Sequence, residues 1–276
     1  MEFLNFKTLP ILAPPTVDQN EFADRCQIGS GAFAAVEKVR HIPTGVMYAI
    51  KKLPYGLTRI KETNYDSKRE ADILNVLKLT EHENVIKIFD IFQGDREHIH
   101  VLMDFCNYDL HNFLLGETHN SPEIYDNIFG QIADGLHFLH THTPQIVHRD
   151  IHPGNVLVKQ AESEKAIMVK IADFGISHVV STEIGSPRHT ALGVFMAPEA
   201  MSASHMELKY HPTVDIYGLG LIYNYMYCFS QSWIYEYLHG WSHSQRSKYS
   251  CVHERCQNKK QMDSACNWRY RRSTHM

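Results

Sequence analysis

The amino-acid sequence predicts an α+β protein, with a β-rich N-terminal half and a helical C-terminal half. Residues 22–105 show a strand-like pattern of apolar and β-branched residues, broken by one helical stretch. After Asn107 the apolar residues recur at helical spacing instead. The 276 residues suit one domain of two lobes, and a hydrophobic content of 43% is sufficient for a sizeable core.

The N-terminal half is expected to contain several strands and one helix. The strand candidates are GVMYAIKKL, NVIKIFDIF and HIHVLMDF, which are rich in β-branched and aromatic residues. Between the first two, DSKREADILNVLKL has helically spaced apolar residues at Ile73, Leu74 and Leu77. Asp66 or Ser67 can cap this helix. Residues 1–21 include three prolines and are expected to form an extended lead-in.

The C-terminal half is expected to begin with one long amphipathic helix. Ser121 is a suitable N-cap and Pro122 suits the first helical position. Its apolar residues recur every four positions, at Ile124, Ile128, Ile132 and Leu136. NVLV and IMVKIAD then predict two short strands, which QAESEK joins as a lengthened hairpin loop. TVDIYGLGLIYNYMY predicts a mostly buried helix.

Charge and cysteine content argue against several classes of partner and location. The formal net charge is −4, with acids and bases interspersed, which predicts no nucleic-acid or membrane partner. The 6 cysteines form no paired framework, which indicates reduced thiols in the cytoplasm. The first residues make a poor signal peptide, and the apolar stretch GLGLIYNYMYCF is too short to span a bilayer. We therefore expect a soluble, cytoplasmic protein.

Two features of the N-terminal half indicate phosphate binding. IGSGAFAAV places Gly29 and Gly31 in a strand–turn–strand setting, where glycines let the backbone lie close over phosphates. Glycines in a hairpin are more often only a turn. Lys51 ends a strand and Glu70 lies on the next helix. Each residue is ordinary by itself, but together they predict an ion pair that orients Lys51 toward phosphate oxygens.

The stretch HRDIHPGN, together with a later ADFG, has the polar groups that phosphoryl transfer to a hydroxyl requires. Asp150 can accept or orient the hydroxyl proton. Asn155 and Asp173 offer the oxygen ligands that Mg²⁺ prefers. Lys51 and Mg²⁺ would balance the charge of the transferred group. The alternative is an ordinary polar loop, which the order and context of the motifs disfavour.

The order of these motifs makes the sequence similar to protein kinases of the eukaryotic, serine/threonine-like type, from about Phe22 to about Tyr227. The matching elements are the glycine loop, AIK at Lys51, Glu70, HRD at Asp150, Asn155, DFG at Asp173, APE at Glu199, and Asp215. The resemblance implies a two-lobed protein-kinase-like fold after an N-terminal extension at residues 1–21. The domain would span residues 22–276, with a β-rich N-lobe at about 22–105 and an α-helical C-lobe at about 106–276. The pattern is atypical after about residue 228.

The resemblance also implies a role for each site residue. Asp150 would be the catalytic base, and Asn155 and Asp173 would hold Mg²⁺. Lys51, paired with Glu70, would grip the ATP phosphates. The ATP pocket would be lined by residues of the glycine loop, the strands and the hinge: Ile28, Gly29, Gly31, Val36, Ala49, Lys51, Met103, Asp104, Cys106 and Leu157.

Further implications of the resemblance are a protein substrate and control by an upstream kinase. Arg149 beside Asp150 suggests activation by phosphorylation, because an arginine can bind a phosphate with two hydrogen bonds. The candidate acceptors are Ser181, Thr182, Ser186 and Thr190. A regulatory stack would consist of Leu74, His148 and Phe174, with Ile88 as a fourth member.

The catalytic loop departs from the family at His152, where serine/threonine kinases usually have lysine. Leu192 similarly stands where they usually have threonine. The charge of a histidine is conditional, so His152 can act as an imidazolium or as a neutral hydrogen-bond donor. We include His152 among the catalytic candidates with Asp150, Lys51 and Glu70.

Three functions remain open on the sequence. The leading hypothesis is an ATP- and Mg²⁺-dependent kinase of serine or threonine hydroxyls in proteins. A pseudokinase scaffold that binds ATP is suggested by His152, Leu192 and the divergent C-terminus, where Arg272, Ser273 and Thr274 resemble an expected Arg-Pro-Thr. A small-molecule kinase of the aminoglycoside or choline phosphotransferase type is suggested by the HPGN run.

In CVHERC, the two cysteines and His253 could also ligate zinc, although a loop with free thiols is the simpler interpretation.

Overall fold

The N-terminal half folds as a five-stranded antiparallel sheet. The computed structural model describes residues 18–30, 34–54, 67–94, 97–116, 121–160, 167–179, 195–201 and 211–229. The strands are β1 (Phe22–Ser30), β2 (Ala35–His41), β3 (Met47–Pro54), β4 (Ile88–Gln93) and β5 (His98–Asp104), in the order β1-β2-β3-β5-β4. Helix α1 (Ser67–Lys78) follows β3 in the chain and packs against β4.

Alternation along the central strands sorts side chains onto two faces of this sheet. Ile50 of β3 pairs with Leu102 of β5, and both belong to one buried apolar cluster. The next residue of β3, Lys51, points to the opposite face, because successive side chains of a strand alternate. That face is the one covered by α1, since Lys51 contacts Glu70.

The C-terminal half contains the remaining helices and five short strands, which form one sheet of three strands and one of two. Its helices are α2 (Leu110–Leu114), α3 (Pro122–Thr141), α4 (Pro198–Met201) and α5 (Thr213–Phe229). Its strands are β6 (Tyr108–Asp109), β7 (Ile146–Val147), β8 (Val156–Gln160), β9 (Ile167–Ile171) and β10 (His178–Val179). β8 and β9 form the predicted hairpin, with β6 on the other side of β8, and β7 pairs with β10. The predicted α+β class, with a β-rich N-lobe and a helical C-lobe, is confirmed.

Helix α3 is the main buried helix that supports the site, and it begins where the sequence predicts. The Ser121 hydroxyl accepts a hydrogen bond from the Ile124 amide at 3.4 Å, and Pro122 occupies the first turn. Of the predicted stripe, Ile128, Ile132 and Leu136 are fully buried. Helix α3 packs against both β9 and α5.

The segment NVIKIFDIF differs from its expected form, because only its second part is a strand of the main sheet. Its first residues hydrogen-bond to the hairpin of the C-terminal half instead. The Ile86 amide donates to the Ile171 carbonyl at 2.9 Å, and the Ile171 amide donates to the Asn84 carbonyl at 2.9 Å. These bonds join the two lobes of the protein.

Among the described residues, no helix is long and apolar enough to cross a membrane.

Candidate active site

A cleft of about 760 Å³ lies between the five-stranded sheet and the loop that follows β7. Twelve of the predicted site residues line it, from both halves of the chain: Ile28, Gly29, Val36, Ala49, Lys51, Glu70, Met103, Asp104, Cys106, Asn155, Leu157 and Asp173. Gly31 lies outside the described residues. Asp150 and His152 are not lining residues, but Asp150 is joined to the lining residue Asn155 by a hydrogen bond.

Lys51 is held by two carboxylates, one from each half of the chain. Its Nζ donates to Glu70 Oε1 at 2.6 Å and to Asp173 Oδ1 at 2.9 Å. Glu70 is buried, with 1% of its surface exposed, whereas the Asp173 side chain is half-exposed to the cleft. Burial by itself lowers the pKa of Lys51, but the charges of Glu70 and Asp173 outweigh it and raise this pKa above its ordinary value. Lys51 is therefore a permanent cation in the cleft.

Asp173 is held in an unusual backbone conformation next to this cation. Its φ is 65°, a left-handed value that costs a non-glycine residue free energy. Its partial burial alone would raise the pKa of its carboxyl, but Lys51 and the Gly175 amide lower this pKa to about 2. The carboxylate is ionised at neutral pH, ready to bind a cation. The next residue, Phe174, is fully buried with its ring centroid 5.0 Å from that of His148.

Asp150 and Asn155 are fixed to each other across the loop that follows β7. The Asn155 side-chain amide donates to the Asp150 carbonyl at 2.9 Å and to Asp150 Oδ2 at 3.1 Å. These two bonds turn the amide nitrogen of Asn155 toward Asp150, which leaves its carbonyl oxygen facing away from that carboxylate. The Ala172 amide donates to the Asn155 backbone carbonyl at 2.9 Å, and so ties this loop to the segment after β9 that carries Asp173.

Asp215, at the start of α5, anchors the backbone of the same loop. Its carboxylate accepts hydrogen bonds from the His148 amide at 2.8 Å and from the Arg149 amide at 2.6 Å. It also accepts one from His140 Nε2 at 2.8 Å. The sequence indicates Asp215 only as part of a motif and does not predict that its carboxylate holds this loop. Gly218, one turn further along α5, allows close approach, because a Cβ there would lie 2.8 Å from the Ile151 carbonyl oxygen.

The side chain of Asp104, at the end of β5, contacts two lysines that the sequence did not indicate. Lys170 of β9, with 5% of its surface exposed, lies 3.2 Å from Asp104 Oδ2 and also donates to the Glu83 carbonyl at 3.0 Å. Lys159 of β8 lies 3.3 Å from Asp104 Oδ1. A lysine in a short strand is ordinarily solvent-exposed, so only the folded chain reveals this buried ion pair.

Cys106 gives a prediction that can be checked by alkylation. Burial raises the pKa of its thiol to about 12, and the nearby Asp104 carboxylate raises it as well. At pH 8 a thiol of that pKa is about one part in 10⁴ thiolate, against about one part in four for an ordinary cysteine. Peptide mapping after iodoacetamide treatment should show Cys106 reacting at least about 100-fold more slowly in the folded protein than in urea. Equal rates would contradict this burial.

The donor groups of the cleft fit a metal-bound nucleotide. Asp173 offers an ionised carboxylate, and Asn155 offers an amide oxygen that its own hydrogen bonds turn away from Asp150. These are the oxygen ligands that Mg²⁺ prefers. The cleft lining also includes the apolar residues Val36, Ala49 and Leu157, which an adenine ring can contact. Within the described residues there is no cluster of three or more His, Cys, Asp or Glu side chains that would hold a metal alone.

Several sequence predictions fall outside the described residues. These are the candidate phosphorylation sites Ser181, Thr182, Ser186 and Thr190, the position Leu192, and the possible zinc ligands of CVHERC. The division into an extension at residues 1–21 and a domain at 22–276 also stays a prediction. The predicted roles of the site residues stay predictions in the same way, although the fold brings Lys51, Glu70, Asn155 and Asp173 to one cleft.

Comparison with known proteins identifies the family. A family model described as "Protein kinase domain" matches residues 22–269. A cyclin-dependent kinase 4 homolog from Caenorhabditis elegans is 31% identical over 207 residues, which cover 73% of this chain and 48% of that protein. The serine/threonine-protein kinase ksp1 of Schizosaccharomyces pombe is 34% identical over 179 residues, or 62% of this chain and 36% of that protein.

A third relative, the carbon catabolite-derepressing protein kinase of Candida glabrata, is 28% identical over 207 residues, which are 73% of this chain and 31% of that protein. The chain thus spans less than half the length of these relatives. The family match nevertheless covers most of this chain, including the cleft and the loop from His148 to Asn155. The chain therefore belongs to the protein kinase family.

Proposed function

We propose that this chain is an ATP-dependent protein kinase that transfers the γ-phosphoryl group to serine or threonine hydroxyls of protein substrates. The observation that carries this proposal is the contact of Lys51 with both Glu70 and Asp173 in one cleft. It combines a permanent cation for phosphate oxygens with a nearby ionised carboxylate for a metal. A scaffold without catalysis has no need to keep this arrangement.

The proposed transfer uses Asp150 at the acceptor hydroxyl. The hydroxyl oxygen forms a new bond to the γ-phosphorus as the bond from that phosphorus to the bridging oxygen of ADP breaks. The acceptor proton passes to the Asp150 carboxylate, and ADP leaves with the electron pair of the broken bond. Asn155 supports the base by donating to Asp150 Oδ2 at 3.1 Å, which fixes the direction of that carboxylate.

Asn155 and Asp173 would hold Mg²⁺, which supplies positive charge to the phosphate oxygens when it is bound. Lys51 would contribute its own charge from the other side of the cleft. Val36, Ala49 and Leu157 would contact the adenine ring, and the backbone at Asp104 and Cys106 would hydrogen-bond its edge. Asp104 is suited to this task because Lys159 and Lys170 hold its side chain.

Serine/threonine specificity is proposed on two grounds. A relative such as ksp1 is named a serine/threonine-protein kinase. The positions after Asp150 and before the APE motif also lack the residues typical of tyrosine kinases. We further propose activation by an upstream kinase through Arg149, cytoplasmic location, and no nucleic-acid or membrane partner.

One assay separates this function from its alternatives. Purified protein would be incubated with labelled ATP, Mg²⁺ and either serine, threonine or tyrosine peptide libraries or a panel of small amines and alcohols. We expect transfer to serine and threonine peptides, reduced about 10²-fold or more in an Asp150→Asn control. Calorimetry should show that this control still binds ATP, since Asp150 does not line the cleft.

Other outcomes of this assay would assign another function. ATP binding without transfer would replace the proposal with a pseudokinase scaffold. Transfer only to small amines or alcohols would favour the small-molecule kinase that the HPGN run suggests. Transfer that the Asp150→Asn variant retains would remove Asp150 from its proposed role.

A further inference from the structure

Ser177 carries a buried hydroxyl that joins two parts of the site. The residue is fully buried, and its Oγ donates a hydrogen bond to the His148 backbone carbonyl at 3.0 Å. His148 begins the loop that carries Asp150, and Ser177 belongs to the segment that begins at Asp173. The bond therefore connects the loop of the proposed base to the segment of a proposed metal ligand, across 29 positions of the sequence.

This hydroxyl lies where a pair of strands ends. Strands β7 and β10 pair antiparallel, and one step beyond their last pair His148 faces Ser177. The backbone does not continue the ladder there, because the Ser177 amide donates to the Phe174 carbonyl at 3.1 Å and the His148 amide donates to Asp215 Oδ2 at 2.8 Å. The His148 carbonyl is a buried acceptor that needs a donor, and the Ser177 hydroxyl supplies it.

The segment from Asp173 to Ser177 needs contacts that maintain its conformation. The φ of Asp173 is 65°, a left-handed value that persists only where the surrounding structure holds it. At one end Lys51 contacts the Asp173 carboxylate at 2.9 Å, but this side chain is half-exposed. At the other end the hydroxyl of Ser177 is fully buried with its acceptor. Exposed ion pairs hold side chains weakly, so the buried bond is the firmer of these two attachments.

We propose that Ser177 is a positioning residue, whose hydroxyl holds the segment that carries Asp173 against the catalytic loop in the arrangement that binds a metal-bound nucleotide. This inference rests on the proposed function, because it names a residue that keeps that site assembled. Ser177 is not among the residues that line the cleft, so its effect on the nucleotide passes through Asp173. An alanine at position 177 would take this donor from the His148 carbonyl and let the segment leave its place more often.

Hydrogen exchange of the ligand-free protein tests the bond without any activity. Mass spectrometry would follow a peptide of residues 173–179, which contains the amides of Gly175 and Ser177 that hydrogen-bond within the segment. In Ser177→Ala we expect this peptide to exchange about 10-fold faster, because the segment opens more often, and a peptide from β8 to exchange as in the wild type. Unchanged exchange of the 173–179 peptide would overturn the inference.

Nucleotide binding tests whether the bond acts on the site through Asp173. One probe is the imido analogue of ATP with Mg²⁺, which needs the metal ligands, and the other is adenosine, which needs neither metal nor phosphate contacts. Apparent affinity falls with the fraction of molecules in which the segment is in place. Calorimetry of Ser177→Ala should therefore show a Kd about 10-fold higher for the Mg²⁺-bound analogue and changed less than about twofold for adenosine. Equal losses for both probes, or no loss for the analogue, would overturn the positioning role.

Two further variants separate this hydrogen bond from general damage to the fold. Ser177→Cys keeps a weaker donor of similar size, so its affinity for the analogue should lie between those of the wild type and Ser177→Ala. Asp126→Asn weakens hydrogen bonds from Tyr223 and Tyr227 elsewhere on α5, and both affinities should stay within about twofold of the wild type. Weaker binding by the cysteine variant than by the alanine variant would contradict a role as donor. A loss in Asp126→Asn equal to that in Ser177→Ala would mean that reduced stability alone weakens binding, and the inference would fail.

The same measurements separate this inference from the proposed function. Peptide phosphorylation by the wild type, together with unchanged analogue binding in Ser177→Ala, would leave the kinase function standing and remove only the role of Ser177. Analogue binding by the wild type without any phosphoryl transfer would remove the kinase function. Faster exchange and weaker analogue binding in Ser177→Ala would then still support the positioning role.

Discussion

Replacing Asp215 by asparagine is expected to lower the free energy of unfolding by about 3–5 kcal/mol. The carboxylate is fully buried and accepts hydrogen bonds from the His148 and Arg149 amides and from His140 Nε2. An asparagine has one acceptor oxygen, so its NH₂ group would face at least one of these donors. A buried donor left unsatisfied costs about 1–3 kcal/mol, and bonds to a charged acceptor are stronger than ordinary ones.

The same substitution should also lower kcat, because Asp215 holds the loop that carries Asp150. Arg149 has a φ of 72°, a left-handed value that costs about 1–3 kcal/mol and needs surrounding structure to maintain it. Without the bond from its amide to Asp215, this residue can relax to a negative φ and move the neighbouring Asp150. Urea unfolding would measure stability, and kcat would be measured at a temperature where the variant is still folded.

Asp126→Asn is the matched control for this prediction. Asp126 also lies between α3 and α5, where it accepts hydrogen bonds from the hydroxyls of Tyr223 and Tyr227, both at 3.3 Å. It is partly exposed and contacts no residue of the catalytic loop in these bonds, so we expect a cost of about 1 kcal/mol and an unchanged kcat. If Asp215→Asn cost no more than Asp126→Asn, the anchoring role of Asp215 would be wrong.

Local patterns were sufficient to predict most elements of the fold. The cap and stripe of α3 depend on residues within four positions of one another, so Ser121, Pro122 and Ile128 could be assigned from the sequence. The contact of Lys51 with Glu70 and Asp173 joins residues 19 and 122 positions apart. Spacing cannot show such contacts. The order of the motifs predicted the ion pair of Lys51 with Glu70, whereas the contact of Lys51 with Asp173 was not predicted.

Other parts of the site depend on tertiary contacts that leave no local signal. Lys170 lies in a strand, and nothing in its neighbours indicates that Asp104 would pair with it in the interior. Gly218 resembles any helical glycine until α5 packs against Ile151. The hydrogen bond from the Gly154 amide to His152 Nδ1 is different, because it joins residues only two positions apart. The HPG sequence is therefore sufficient, by itself, to predict a capped turn.

Replacing Lys51 by methionine is expected to lower kcat about 10³-fold and to lower the free energy of unfolding by about 3–5 kcal/mol. The catalytic loss follows because the cleft loses its permanent cation. The stability loss follows because Glu70, with 1% of its surface exposed, loses the ammonium 2.6 Å away that balances its charge. The pKa of Asp173 should also rise from about 2, since Lys51 is the charge that lowers it.

The double variant Lys51→Met/Glu70→Leu separates these two effects. Removing both members of a buried ion pair and replacing them with apolar groups of similar size is often neutral for stability. We therefore expect the double variant to recover most of the stability that Lys51→Met loses, while kcat stays about 10³-fold below the wild type. If kcat recovered together with stability, the activity loss of Lys51→Met would reflect unfolding, and Lys51 would have no direct role at the phosphates. If stability stayed low, the buried charge of Glu70 would not be its cause.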